Sequence, residues 1–311
     1  MKLWQQSLAT ALRGTAAGRS AKRILTRFSD VLNGHFGERT LVVDGLALTV
    51  DFADAGGRMY AQRAAHEESV SHLYKQIARE LNPQLVIDIG ANYGFTALIF
   101  ARYFPHSRLV LVEPSPALCC FAERNLQQNH VSDYAVVQAI CGEREEPCSR
   151  FSLNPHTSQD NRVVGLAGWK SIKVATCTLA GLVAEHGDRG AVFIKIDTHG
   201  FEERVFAGGA PFFEAQQSWL VKTEFAPHWL RSQGTDPLAF LRTLIQRYEV
   251  VECAARFRFE RDELYTHFKR PLRDEEAAPF VAYVAGLDRD ERGWCDLLLR
   301  SRRAGSGQTS G

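Results

Sequence analysis

The sequence predicts an α/β fold, a mostly parallel sheet with helices on both faces. β-branched and aliphatic runs recur at Leu85-Val86-Ile87, at Leu109-Val110-Leu111-Val112, from Tyr134 to Ile140, from Ala191 to Ile196 (with Lys195 as its one charge) and across Trp219-Leu220-Val221. Such runs suit strands buried on both faces. Between them lie apolar stripes at helical spacing, for example Phe95, Leu98, Ile99 and Tyr103. Four of the five strands close on a carboxylate, Asp88, Glu113, Asp197 or Glu224. That common edge is where open α/β sheets bind ligands.

The chain begins with residues 1–29, which carry Lys2, Arg13, Arg19, Lys22, Arg23 and Arg27 and no acid. Ile24, Leu25, Phe28, Val31 and Leu32 follow at helical spacing. Three readings stay open: a soluble helix packed on the domain, peripheral contact with anionic lipid, and a transit peptide. Next, Thr40 to Val50 reads as a hairpin with Asp44-Gly45 as its turn. An amphipathic helix is expected from Glu67 to Leu81, with Val70, Leu73, Ile77 and Leu81 on one face, stopped by Asn82-Pro83.

Strand Leu85-Val86-Ile87 then runs into Asp88-Ile89-Gly90-Ala91-Asn92-Tyr93-Gly94 and a helix. Glycine lets a backbone turn with positive φ and admits close approach. The turn also delivers a helix N-terminus with free N–H groups to the crevice. The spacing lacks the third glycine of the dinucleotide fingerprint, which serves a pyrophosphate. A turn opening on a carboxylate suits a cationic ligand, and S-adenosylmethionine is a nucleoside with a sulfonium and no phosphate. Glu113 closes the second strand at close to the roughly 20-residue spacing expected of a ribose-binding acid. Ser115 and Pro116 are a suitable N-cap and first position for the next helix.

Asp88-Ile89-Gly90-Ala91-Asn92-Tyr93-Gly94, Glu113-Pro114, Asn125, Asn129 and Lys195-Ile196-Asp197, in that order, resemble the FkbM family of S-adenosylmethionine-dependent methyltransferases. The resemblance covers roughly residues 60 to 225. It implies a class I methyltransferase, Rossmann-like fold and O-methylation of hydroxyls on sugars and polyketide-type natural products. Asp88, Gly90, Asn92, Gly94, Glu113 and Ala139 are the expected cofactor contacts, Ala139 lying beside the adenine at the end of the third strand. The family carries an acid where this chain has His199, in Asp197-Thr198-His199-Gly200.

Farther along, residues 143–165 are polar and turn-rich and read as a loop over the site. Its Asn154, His156, Ser158, Asp160, Asn161 and Arg162 are polar candidates for holding a hydroxylated acceptor. Gly200 and Phe201 lead into a helix whose Glu202 and Glu203 suit an N-terminus. A helix is expected from Asp236 to Tyr248, a last strand at Phe280 to Val284 and a final helix at Trp294 to Leu299. The boundaries expected are an extension over 1–60, a methyltransferase domain over 61–300 and a disordered Gly/Ser tail over 301–311.

Methyl transfer to a hydroxyl needs in-line placement of an oxygen and removal of its proton. His199, just past the fourth strand, is the first candidate base, with Asp197 and Glu224 as alternatives or as acceptors orienting the hydroxyl. These three also offer oxygen and imidazole ligands to a divalent cation, but their spacing is not distinctive and no metal is predicted. Strand alternation is read as turning Lys195 away from Asp197's neighbours, so a structural pairing and a site role both stay open. Glu224 has Lys195 and Lys222 as candidate partners.

Composition narrows the classes. With 45% apolar residues in 311 the chain has ample material for a core. Thirty-seven basic against 36 acidic residues give no support for broad nucleic-acid binding. The seven cysteines are dispersed without a Cys-x-x-Cys pair, which points to a reducing, cytoplasmic setting. No uninterrupted apolar window of membrane-spanning length occurs. The expected partner is a small-molecule or glycan acceptor with a free hydroxyl. The competing readings are an NAD(P)-dependent oxidoreductase and a non-catalytic nucleoside-binding module.

Overall fold

The structure, a computed structural model, describes residues 37–43, 45–63, 68–187, 190–215, 218–253, 268 and 270–302. The basic segment 1–29 and residues 303–311 of the tail lie outside these. So the expectations of a packed helix, lipid contact or targeting, and of a disordered tail beyond 302, fall on residues not described. Among the described residues, no helix is long and apolar enough to cross a membrane.

The hairpin forms as expected. Strands β1 (Glu38–Val43) and β2 (Leu46–Asp51) pair antiparallel, and Gly45 in the turn has φ 73°. Helices α1 (Ala55–Arg63) and α2 (Glu68–Glu80) follow. Leu73 and Ile77 of α2 are buried, and Asn82 turns the chain with φ 47° after the helix.

The central sheet then alternates with helices. In chain order these are β3 (Leu85–Ile89), α3 (Phe95–Tyr103), β4 (Arg108–Val112), α4 (Pro116–Gln128) and β5 (Tyr134–Val137). After an excursion come β9 (Val192–Ile196), α6 (Glu202–Ala215), β10 (Trp219–Phe225), α7 (Pro227–Ser232), α8 (Pro237–Arg247) and β11 (Tyr248–Cys253). The excursion holds β6 (Ile140–Cys141), β7 (Glu146–Leu153), β8 (Lys170–Cys177) and α5 (Leu179–His186). Helix α9 (Ala277–Ala285) and strand β12 (Cys295–Ser301) complete the described elements.

The seven-stranded sheet has the order β11-β12-β10-β9-β3-β4-β5. Neighbours from β10 to β5 are parallel, and β12 runs antiparallel between β10 and β11. Alternation divides the core. Ile87, Ile89, Ile194 and Ile196 face one layer with Phe206, Phe213 and Val284. Val86, Leu109, Leu111 and Phe193 face the other, with Leu98, Phe100, Leu126 and Leu48 of the hairpin.

Four expectations are corrected. The strand expected from Tyr134 to Ile140 is two: β5 stops at Val137, and Ile140 pairs instead with Thr176 of β8 in a separate three-stranded sheet. The polar stretch 143–165 is not all loop, because Glu146–Leu153 forms β7, antiparallel to β8. One face of that sheet meets solvent, so few of its side chains are buried, Phe151 and Val174 among them, and apolar alternation is faint. Phe280 to Val284 is helical, within an alanine-rich segment that buries Ala277, Phe280, Val281 and Val284 at helical spacing. Trp294 to Leu299 lies largely in a strand. Leu297, Leu298 and Leu299 are consecutive and apolar because β12 is covered on both faces. Strands β8 and β11 and helix α5 had no counterpart in the sequence reading.

Asn125 and Asn129 dock the hairpin. Asn125, fully buried on α4, accepts from Thr49 N (2.7 Å) and donates to Thr49 O (3.0 Å) and Tyr93 O (2.8 Å). Asn129 pairs likewise with the backbone of Ala47. Two amides thus imitate a neighbouring strand and tie β2 to the turn after β3.

Candidate functional site

The turn after β3 is built from left-handed backbone: Gly90, Asn92 and Gly94 have φ of 82°, 51° and 78°. Asparagine tolerates that region better than most side chains. The sequence attributed these glycines to ligand approach, but the structure shows protein against protein. A Cβ on Gly90 would lie 1.9 Å from the Asp197 carbonyl oxygen, and one on Gly94 3.0 Å from the Ala122 Cβ. Helix α3 starts at Gly94 without a side-chain cap, leaving its first N–H groups free.

Glu113, 4% exposed, braces the turn from the end of β4. One carboxylate oxygen accepts from Asn92 N (3.0 Å) and the other from Ser115 N (2.9 Å). Burial pushes its pKa up to about 7, against the pull of these two N–H groups. Ser115 is the N-cap residue of α4, but its side chain makes no cap bond. Asn92 also donates through its side chain toward Ser158 at 3.4 Å.

Asp88 was expected to face a cationic ligand. It is 1% exposed and finds its cation inside the protein, 3.1 Å from Lys195 Nζ. Asp88 and Lys195 are direct partners in the β3–β9 register, so the pairing follows from the sheet itself. Burial pushes the Asp88 carboxyl up, and Lys195 opposes that shift. Burial alone would lower Lys195, but Asp88 and Asp197 outweigh it and hold the ammonium above its usual value. Lys195 Nζ also donates to Gly90 O at 3.2 Å and lies 3.5 Å from Asp197 Oδ2. The sequence reading that turned Lys195 away from this region is therefore corrected: residues two apart share a strand face. Lys222 is taken by Asp296 at 2.5 Å and does not serve Glu224.

Three predicted catalytic residues meet at the ends of β9 and β10. One ligand atom each from Asp197, His199 and Glu224 lies within 4.8 Å of the others. His199 Nδ1 is 3.8 Å from Asp197 Oδ1. His199 takes φ 54°, in a turn held by Glu202. The buried Glu202 carboxylate accepts from Thr198 N and Oγ1 (both 2.9 Å) and Gly200 N (3.2 Å). Burial would raise Asp197, but Lys195, His199 and Lys222 hold it below its usual value. Glu224 moves the opposite way, far up, through burial and then repulsion from Asp197 and Glu202. The two neighbouring carboxyls are therefore pushed in opposite directions.

A cavity of about 310 Å³ adjoins the turn, lined by Tyr93, Ser115, Phe121, Asn154, His156 and Ser158 among others. Its roof is stapled by Asp54, which accepts from Tyr93 Oη (2.8 Å), Ser158 N (2.8 Å) and Ser158 Oγ (2.5 Å). Asn154, His156, Ser158 and Asn161 of the predicted acceptor segment line this cavity. Asp160 binds Asn154, and Arg162 lies apart from the cavity. Ala139 is 4% exposed where the chain leaves β5 for β6. Asp54, Lys195 and Glu202 were missing from the predicted site. Only Lys195 gave a signal, as a lone charge inside an apolar strand.

A mostly parallel seven-stranded sheet with one antiparallel strand, a glycine turn after β3 and acids at or near the ends of β4, β9 and β10 defines a class I methyltransferase architecture. The chain belongs to the FkbM methyltransferase family, whose domain model matches residues 88–259. A protein named Methyltransferase 1 from Beauveria bassiana (strain ARSEF 2860) is 30% identical over 122 residues, 37% of this chain and 46% of that one. The chain thus spans about half the length of this curated relative. Among solved structures, the plantazolicin methyltransferase BamL in complex with a desmethylPZN analog and SAH is 11% identical. That match covers 78% of this chain and 88% of that one at a TM-score of 0.42. An O-methyltransferase from Bacillus cereus in complex with SAH is also 11% identical, over 78% and 86% of the two chains, at a TM-score of 0.39.

Proposed function

We propose that this chain transfers a methyl group from S-adenosylmethionine to a hydroxyl of a small-molecule or glycan acceptor. The observation that carries the reading is the meeting of Asp197, His199 and Glu224 beside the turn that Glu113 braces. The residues fit the donor. An uncapped α3 N-terminus presents free N–H groups at the turn, and the Glu113 carboxylate beside it is the acceptor proposed for the ribose hydroxyls. Gly90, Asn92, Gly94 and Ala139 line this side. Asp88 acts from beneath, fixing Lys195 and through it the Gly90 carbonyl.

S-adenosylmethionine supplies an electrophilic methyl carbon on a sulfonium. The chain must then hold the acceptor oxygen about 3 to 3.5 Å from that carbon and take its proton. His199 is placed to accept the proton, and the ionised Asp197 stabilises the imidazolium that results. Glu224, whose surroundings favour its protonated form, donates a hydrogen bond to the acceptor and orients it.

Isothermal titration tests the donor: micromolar binding of S-adenosylmethionine is expected, and its absence removes the reading. Methyl transfer is then followed by mass spectrometry of extracts incubated with deuteromethyl donor. The expected product gains its label on oxygen; a label found only on nitrogen or carbon overturns the hydroxyl acceptor.

A further inference from the structure

Arg162 is 5% exposed, and its Nε and Nη1 are buried without a hydrogen-bond partner. Its guanidinium is clamped between two indoles, with Cζ 4.8 Å from the Trp169 ring and 4.7 Å from the Trp229 ring. Stacking satisfies the faces of a guanidinium and leaves its edge donors bare. Among the described residues no carboxylate forms an ion pair with it. The nearby acid, Asp160, is engaged with Asn154 Nδ2 at 3.2 Å. A buried charged donor without an acceptor is costly, and proteins keep few of them.

The position is fixed from both sides. Arg162 exchanges backbone hydrogen bonds with Ser152 of β7 (2.8 and 3.1 Å). Two residues on, Val164 exchanges a pair with the Gln233 side chain (2.8 and 3.0 Å). The Trp229 indole that Arg162 covers also meets the His199 ring edge-on at 5.6 Å. The guanidinium therefore lies within about 10 Å of the proposed base, on the path through one indole.

The surroundings share its sign. His228, beside Trp229, is held below its usual pKa by burial and then by Arg292, Arg162 and Arg231. Arg162, Arg231 and Arg292 thus make a basic neighbourhood around His228, next to the Trp229 indole that also meets His199.

We infer that the methyl acceptor is an anion whose carboxylate or phosphate is received by Arg162 while its hydroxyl lies at His199. The word acceptor rests on the methyl-transfer reading; the anion site does not. A planar fork of N–H donors matches an oxyanion, and the two indoles hold the fork at little entropic cost. A sugar acid or sugar phosphate carries both a hydroxyl and an oxyanion, the two groups proposed for His199 and Arg162.

The test is calorimetric, on the full chain saturated with S-adenosylhomocysteine. Glucuronate, glucose 6-phosphate and glucose are titrated in turn. At least one anion is expected to bind at least about ten-fold more tightly than glucose, and the better of the two identifies carboxylate or phosphate. Arg162→Gln is expected to weaken that anion about ten-fold or more while the S-adenosylhomocysteine affinity stays within about two-fold. Equal binding of glucose and both anions, no anion binding up to tens of millimolar, or unchanged affinity in Arg162→Gln overturns the proposal. If Arg162→Gln does not fold, the wild-type comparison of anions with glucose decides alone. Failure of S-adenosylhomocysteine to bind, with anion binding intact, removes the methyl-transfer reading and leaves the site.

Discussion

The Asp197 carbonyl oxygen occupies the space that a Cβ on Gly90 would need, 1.9 Å from its ideal position. The ends of β3 and β9 therefore touch through backbone, and the turn and the proposed catalytic cluster are one unit. Gly90→Ala must both enter a left-handed φ of 82° and displace that carbonyl. Strain of about 1–2 kcal/mol and overpacking of about 1–3 kcal/mol together give an expected loss of about 2–5 kcal/mol. Urea unfolding measures it, and calorimetry should show donor binding weakened in the folded fraction. An unperturbed midpoint contradicts the packing described.

Lys195 neutralises a carboxylate that water cannot reach. Lys195→Met leaves Asp88 charged and alone, and an expected loss of about 3–5 kcal/mol follows. The double variant Asp88→Asn, Lys195→Met should recover much of it, since the desolvated charge is gone. A double-mutant cycle by denaturation checks this. Additive losses mean the two groups are independent.

The Glu113 carboxyl has a folded-state pKa of about 7, raised from 4.5. The folded state then binds a proton that the unfolded chain has released between these values. Glu113 therefore lowers stability as pH rises from about 4.5 to 7, by up to about 3 kcal/mol. Donor binding runs the other way, because ribose hydroxyls need the ionised form as acceptor. Affinity for S-adenosylhomocysteine is expected to tighten about ten-fold from pH 6 to pH 8. Glu113→Gln should flatten the dependence; a profile kept in that variant assigns it elsewhere.

Removing the proposed base should separate chemistry from binding. His199→Ala is expected to lower kcat by about 10²- to 10⁴-fold with donor affinity nearly unchanged. Glu202→Ala removes the single oxygen that accepts all three hydrogen bonds holding the turn that carries His199. It should lower kcat about ten-fold or more by misplacing the ring, again without loss of donor binding. Equal loss of kcat and affinity in both indicates a collapsed loop instead.

Reading the chain found the residues at strand ends more reliably than their roles. Asp88, Glu113, Asp197 and Glu224 stand toward one edge as expected, although Asp88 and Glu224 lie within β3 and β10 rather than after them. Asp88 and Lys195 were separate signals in the sequence, 3.1 Å apart only once β3 and β9 lie side by side. Asn125 looks like any polar helix residue until its amide is seen bonded to Thr49 and Tyr93. Arg162 read as a polar loop residue, and nothing local places its guanidinium between Trp169 and Trp229.

Local order alone determined the α/β class, the five parallel strands from Leu85 to Phe225, the glycine turn and the acids at or near the ends of four of those strands. These depend on periodicity and backbone preference, which act over a few residues. The tertiary structure decided which acid is paired, which is exposed, where the small sheet forms and that β12 is a strand. Those outcomes depend on burial and on neighbours distant in sequence. Desolvation and charge pairing are properties of a shared environment, and a chain acquires that environment only when it folds.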